Sequence, residues 1–247
     1  MKDYYWLNDK SRKFLSRGYL DEGVTGEQRV KQMADKAEEI LGLKGFSEEF
    51  ESYAAKGYYS FATPVWVNFG KKKGLGISCY GSYCDDSLDS ILNMGRELGM
   101  MSKYGGGTSA YLGNIRPRGS SISTGGEADG PTHYAHIYDT IIDKCKQAKA
   151  RRGACAIYLD IEHPDVMEFL DVATDGNDIQ KLQTGISIGD EFMKKMISGD
   201  KQARTVWAKV IQTRKEVGYP YLFFRDNVNK NSPYNDTEET IVASNLC

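Results

Sequence analysis

Apolar positions divide the chain into two textures. Up to about Tyr59 they recur at helical spacing. Leu7, Phe14, Leu15 and Tyr19 form a first helical set, with Gly18 and Gly23 as stops. Thr25-Gly26-Glu27-Gln28 has the form of a capping box. Val30, Met33, Ala34, Ala37, Ile40 and Leu41 then follow at i, i+3, i+4 and i+7 up to Gly42, and a third helix is predicted over 48–56, stopped by Gly57. Beyond Tyr59, short apolar runs alternate with glycine-rich turns. Asp86-Ser87 caps a predicted helix over 88–103, which Gly105-Gly106-Gly107 ends. A strand over 108–112 and a helix over 132–147 follow. The continuous apolar run 154–159 suits a strand covered on both faces. Further helices are predicted over 164–173, 190–198 and 203–216, with strands near 184–188 and 221–224. This alternation implies an α/β fold with parallel strands, a helical region 1–59 followed by an α/β region 60–247.

Charge and composition narrow the function classes. With 32 basic and 34 acidic residues the formal net charge is −2, which argues against an electrostatic grip on a nucleic-acid polymer or an anionic membrane. Hydrophobic residues at 40% and charged ones at 27% exclude a disordered chain. Lys2 and Asp3 are followed by no apolar signal region, and the run 154–159 is far too short to span a bilayer, so a cytoplasmic location is expected. The five cysteines, Cys79, Cys84, Cys145, Cys155 and Cys247, form no C-x-x-C pair. His133, His136 and His163 make no metal-ligand set with them, so no metal site is expected. On these grounds alone each cysteine is a buried hydrophobe, a redox thiol or a radical carrier.

Taken singly, other features read plainly. The Gly105–Gly107 turn matches neither a dinucleotide fingerprint nor a phosphate loop, and Lys71-Lys72-Lys73 reads as a solvated run. The stretch 144–153, KCKQAKARRG, places five cations in ten residues between a helix and a buried strand. It suits an anion such as a nucleotide phosphate, or a solvated loop.

Five ordered stretches carry a resemblance. They are Phe61-Ala62-Thr63-Pro64-Val65; Ile77-Ser78-Cys79 with Asp85-Asp86-Ser87-Leu88-Asp89-Ser90-Ile91; Gly113-Asn114-Ile115-Arg116-Pro117-Arg118-Gly119; the segment from Gln147 to Ala154; and Ser244-Asn245-Leu246-Cys247. In order and spacing, including the sixteen-residue step from Thr63 to Cys79, they resemble the catalytic (large, alpha) subunit of ribonucleotide reductase. The resemblance runs from about Tyr4 to the last residue.

The resemblance implies the first half of a ten-stranded α/β barrel ending on a central finger loop. Cys247 then matches the thiyl-radical cysteine, and Asn245 matches the residue that hydrogen-bonds the ribose. Cys79 matches one member of the thiol pair that closes to a disulfide. Thr63 and Ser78 match phosphate-holding positions, with the backbone of Gly106 and Gly107 nearby. Asp86, Ser87 and Arg116, together with Lys146, Gln147 and Arg151, match a specificity site for deoxynucleoside triphosphate or ATP effectors. Cys84, Cys145 and Cys155 acquire no role. The implied partners are a second copy in a homodimer, a metal-containing radical-generating small (beta) subunit, a thioredoxin- or glutaredoxin-type reductant and a ribonucleotide substrate. In that dimer the helices 88–103 and 132–147 pair with their mates, with Ile91, Met94, Ile137 and Ile141 as the expected apolar seam.

In relatives a carboxylate, a second redox cysteine, a second half-barrel and C-terminal thiols follow the position of Cys247, and many carry an N-terminal nucleotide-binding cone. The chain is therefore expected to be the N-terminal piece of a split or truncated subunit, completed by a C-terminal piece and inactive without it. An intein boundary at Cys247 is the other reading of that position. Asn-Leu-Cys resembles class I enzymes, whereas the cobalamin-dependent class usually has Asn-Pro-Cys. A fragment of an adenosylcobalamin-dependent reductase and a non-catalytic nucleotide-binding or assembly module are the alternatives.

Overall fold

The computed structural model describes residues 3–72, 74–145, 154–172, 174, 176–234, 237 and 239–245. They form two compact units, Met1–Ser78 and Cys79–Cys247.

The first unit holds α1 (Asp9–Leu15), α2 (Gly26–Leu41), α3 (Phe46–Ala55) and α4 (Thr63–Asn68). The capping box at α2 is complete. Thr25 Oγ1 accepts from Gln28 N at 3.3 Å, and Gln28 Oε1 accepts from Thr25 N at 2.8 Å. Val30, Met33, Ala34 and Ala37 face the core as their spacing implies, whereas Ile40 and Leu41 stay exposed in the last turn. Helix α4 has no amphipathic signature; Pro64 starts it and buried Arg29 closes it. The Arg29 guanidinium donates to the carbonyls of Trp66 (2.8 Å), Val65 (3.2 Å) and Phe69 (2.7 Å) at the end of this short helix, where carbonyls run out of intrahelical donors. Trp66 packs with Val30 and Met33, and Phe61 lies against the same core. These contacts carry the first unit past Tyr59 to Ser78.

The second unit runs β1 (Cys79–Tyr83), α5 (Leu88–Lys103), β2 (Gly107–Tyr111), α6 (Pro131–Lys144), β3 (Ala154–Asp160), α7 (Val166–Asp171), β4 (Leu182–Ile188), α8 (Asp190–Ser198), α9 (Lys201–Val217), β5 (Tyr221–Phe224) and α10 (Arg225–Lys230). The five strands form one sheet in the order β1-β2-β3-β4-β5, with every pair parallel. Each strand-to-strand connection therefore crosses over through helix, the arrangement a parallel ladder requires. Alternation sorts the side chains by face. Cys155, Ile157 and Leu159 of β3 meet Leu98, Tyr138 and Phe169 under the helices. Ala156 and Tyr158 point the other way, to Tyr111 and Phe223. Burial on both faces is why this run is apolar throughout.

Differences from the expected elements have local causes. Strand β1 (CYGSY) carries no strand pattern and is defined by its pairing with β2. Helix α9 begins two residues before the expected start because Asp200 accepts from Ala203 N at 2.8 Å. Helix α10 follows β5 without a break, and residues 113–130 include a small antiparallel bridge, Ser121 with Glu127. Ile91 and Met94 are corrected from the expected seam between copies: they are 3% and 1% exposed, inside the chain's own core. The Tyr138 hydroxyl donates to Ile91 O at 3.0 Å, fixing that face of α5 against α6. Leu88, Leu92 and Met100 on α5 and Ile137 on α6 are outward apolar positions. Among the described residues no helix is long and apolar enough to cross a membrane.

The Tyr158 ring lies against Gly185 on the neighbouring strand, where an added Cβ would sit 2.2 Å from Cε1. Gly185→Ala should push that ring off its place and cost about 1–3 kcal/mol by overpacking. The urea unfolding midpoint measures this directly.

Candidate functional site

The sheet face turned away from the helices is lined by small side chains and tyrosines. Register puts Cys79 and Gly81 of β1 level with Gly107 and Ser109 of β2. The second row continues through Ala156 on β3 to Gln183 on β4, and the rows beyond it on the same face are Tyr111, Tyr158 and Gly185, then Asp160 and Ser187. Cys79 is half-buried at the start of β1, directly beside Gly107. Gly106, just before it, is buried where an added Cβ would lie 2.6 Å from the Tyr80 ring and 3.1 Å from Met101 O. That crowding accounts for glycine there, and left-handed Gly105 (φ 76°) accounts for the turn.

The chain returns across this face after α10. Ile241, Val242 and Ala243 pack on Tyr111, Ala156, Tyr158 and Phe223. Ser187 Oγ donates to Val242 O at 2.8 Å. The Asn229 amide holds Ile241 on both sides, Nδ2 donating to its carbonyl and Oδ1 accepting from its N–H, each at 2.8 Å. Burial pushes the Tyr158 phenol up from its ordinary range, and a hydrogen bond with the Ser244 side chain works against that shift. Asn245 follows, exposed, and Cys247 lies outside the described residues. Thr63, at the start of α4, and Ser78 belong to the first unit.

A second group gathers beyond the C-terminal ends of β1 and β2. A cavity of about 420 Å³ is lined by Asp86, Ser87, Arg116, Glu127, Asp129 and Tyr134, among others. Arg116 reaches Asp86 twice, through Nε (2.6 Å) and its own backbone N–H (3.1 Å), and donates to Ser121 O at 2.7 Å. Ser87 caps α5 by accepting from Ser90 N at 3.2 Å. Asp86, Ser87 and Arg116 thus line one cavity, whereas Lys146, Gln147 and Arg151 lie outside the described residues. A separate cavity of about 740 Å³ in the first unit, walled by Tyr5, Trp6, Phe14, Tyr58 and Trp66, contains none of the expected residues.

Sequence reasoning did not mark Ser187, Asn229, Asp160 or Arg225. Arg225 pairs with Asp160 at 2.5 Å, joining α10 to the end of β3. No spacing rule signals such a contact, because its partners come from separate elements 65 positions apart.

The family model for the ribonucleotide reductase barrel domain matches residues 77–202 and 197–247. The chain belongs to the ribonucleotide reductase family. It is 30% identical over 264 residues to the ribonucleoside-diphosphate reductase large subunit of Invertebrate iridescent virus 6, covering 95% of this chain and 26% of that protein. It is 28% identical over 252 residues to a vitamin B12-dependent ribonucleoside-diphosphate reductase of Thermoplasma acidophilum, covering 93% and 32%. Among solved structures, the Actinobacillus ureae class Id ribonucleotide reductase alpha subunit superposes with a TM-score of 0.89 at 47% identity, covering all of this chain and 46% of that one. The chain thus spans less than half the length of these relatives. Its parallel sheet is part of the reductase barrel.

Within this reductase half-barrel the described cysteines differ sharply in environment. Cys84 and Cys155 are buried, and loss of solvation pushes their thiols up to about 11 and about 12. Both stay protonated and unreactive at neutral pH. His163 is buried for structure: its Nδ1 accepts from Asp165 N at 3.1 Å, so Nε2 carries the proton and donates to Ile115 O at 3.0 Å. His133 and His136 are exposed.

Brief iodoacetamide treatment of the folded protein should label Cys79 and Cys145 and spare Cys84 and Cys155, as read by peptide mass spectrometry. The raised thiols also set an alkaline limit. Unfolded thiols release protons from about pH 9, while the folded Cys84 and Cys155 hold theirs to about 11 and 12. Their contribution to stability is therefore complete below pH 9 and is lost as pH rises through that window.

Proposed function

We propose that this chain is the substrate-reducing and effector-binding part of a ribonucleoside-diphosphate reductase catalytic subunit. The carrying observation is that Cys79 and the segment leading to Asn245 share the inner face of one sheet in a reductase half-barrel. In this reading Cys247 holds a thiyl radical that abstracts the ribose 3′ hydrogen. A dry barrel interior protects such a radical from solvent. Cys79 and a second thiol then supply two electrons and close to a disulfide as the 2′ hydroxyl leaves as water. Asn245 hydrogen-bonds the ribose, while Thr63, Ser78 and the Gly106–Gly107 backbone hold the phosphates. A thioredoxin- or glutaredoxin-type dithiol restores the thiols, and the enzyme works in the cytoplasm.

The radical comes from a metal-containing small subunit in this reading, which Asn-Leu-Cys and the 47% identity to a class Id alpha subunit support. The vitamin B12-dependent relatives favour a second reading, in which adenosylcobalamin takes the place of that subunit. The cavity at Asp86, Ser87 and Arg116 suits a deoxynucleoside triphosphate or ATP effector, and the resemblance gives Lys146, Gln147 and Arg151 to the same site. Leu88, Leu92 and Ile137 on the outer sides of α5 and α6 suit pairing with a second copy.

Thermal denaturation with each of the four deoxynucleoside triphosphates tests the effector site. At a hundredfold excess over Kd, binding adds about 2.7 kcal/mol, a shift of several degrees for a protein this size. Arg116→Ala should lose most of that shift, since Asp86 then loses its partner. No shift with any of the four in a folded dimer sinks the effector reading. The chemistry is tested by deoxyribonucleotide formation in the assembled reductase with its radical source and a dithiol. Cys79→Ser should stop turnover by removing the disulfide-forming thiol. Cys247→Ser should abolish it because a serine O–H bond is too strong to carry the radical. Full activity in Cys247→Ser would move the radical to another residue.

A further inference from the structure

Helix α10 acts as a bracket between the sheet and the returning chain. Two of its side chains, Arg225 and Asn229, lie one turn apart on the same side of the helix. Arg225 fastens the helix to the sheet through Asp160 at the end of β3. The pair is well sheltered, with side-chain exposures of 25% and 19%. Asn229 turns to the chain that comes back. Its amide gives Ile241 both hydrogen bonds that a neighbouring strand residue would give, and Nδ2 also donates to Arg225 O at 2.8 Å. Only a planar amide offers a donor and an acceptor side by side in this way; a carboxylate has no donor and an aliphatic chain has neither.

The next residue is held from the other side. Ser187, fully buried on β4, donates to Val242 O at 2.8 Å. Ile241 is thus tied to α10 and Val242 to the sheet floor. Asn245 is four residues on, at most about 14 Å of extended chain from Ile241. These two contacts therefore limit how far Asn245 can stand from the point where the chain is held. Reactions of this kind are sensitive to displacements of about 1 Å.

We propose that Asn229 and Ser187 are positioning residues of the radical site, fixing on the sheet the segment 241–243 that leads to Asn245. The inference rests on the reductase reading above.

The test uses Asn229→Ala, Asn229→Asp and Ser187→Ala in the assembled reductase. Each should lower kcat about tenfold or more while leaving the ribonucleotide KM within about twofold, since misplacement of the reacting groups spares the phosphate-holding positions. The thermal shift with effector should persist, because the Asp86–Arg116 cavity is built from other elements. Hydrogen exchange at the Ile241 amide should accelerate in Asn229→Ala, which removes its acceptor. Unchanged kcat with accelerated exchange overturns the proposal, as does a kcat loss matched by loss of the effector shift. If Asn229→Ala does not fold, Ser187→Ala carries the same criteria from the sheet side. An active wild type with fully active variants overturns the clamp alone. A wild-type assembly that forms no deoxyribonucleotide overturns the reductase reading, and the clamp with it.

Discussion

A parallel sheet has to be covered on both faces, because its crossovers bring apolar material to each side. Here helices α5 to α9 bury one face in a continuous core from Ile91 to Val210. The other face cannot be treated the same way if it is to receive a substrate. It is lined with glycine, serine, alanine and tyrosine, and the chain's own segment 241–243 lies across part of it. Covering the face and fixing the segment that leads to Asn245 are thus one event. Packing apolar residues of that segment on Tyr158 and Phe223 supplies the driving force, and the polar clamps at Ser187 and Asn229 supply the register.

That division of labour fits the energetics of polar contacts. A sheltered ion pair such as Asp160–Arg225 adds little net stability, since desolvating both charges costs much of what their attraction returns. Its effect is to exclude other placements: α10 displaced from Asp160 would leave a sheltered guanidinium unpaired. Arg29 does the same for α4 in the first unit, where its hydrogen bonds to three carbonyls fix a helix too short to hold itself. In both places a buried or half-buried arginine sets geometry near residues read as functional, Thr63 in one case and Asn245 in the other.

These dependencies also decide what could be read from sequence. Helices α5 and α8 were legible to the residue, since Ser87 caps one and left-handed Gly199 closes the other. Strand β3 was legible because two buried faces demand an unbroken apolar run. Helix α4, strand β1 and helix α10 were not, because each owes its form to a distant partner: Arg29, β2 and Asp160 respectively. The periodicity of α5 marked Ile91 and Met94 as apolar without saying which surface they meet, and they meet the chain's own core. Asp86 and Arg116 were found by resemblance, and the structure joins them directly, Arg116 Nε donating to Asp86 at 2.6 Å across 30 positions. Asn229 carried no signal because its work is done by an amide on a backbone segment twelve residues away.

One element links the two candidate regions of the second unit. Helix α5 has 16 residues, a rod of about 24 Å. Its first turn begins at Ser87 on the Asp86–Arg116 cavity, and its last ends at the Gly105–Gly107 turn beside Cys79. A helix transmits displacement along its axis because its backbone hydrogen bonds do not stretch freely, and packed cores shift between discrete arrangements rather than deforming. The buried contacts of α5 with Tyr138 and Ile142 on α6 hold its sides. A ligand that moves Asp86 relative to Arg116 therefore acts on the same helix that leads into the turn next to Cys79. Coupling between the cavity and the inner sheet face needs no longer path than that one helix.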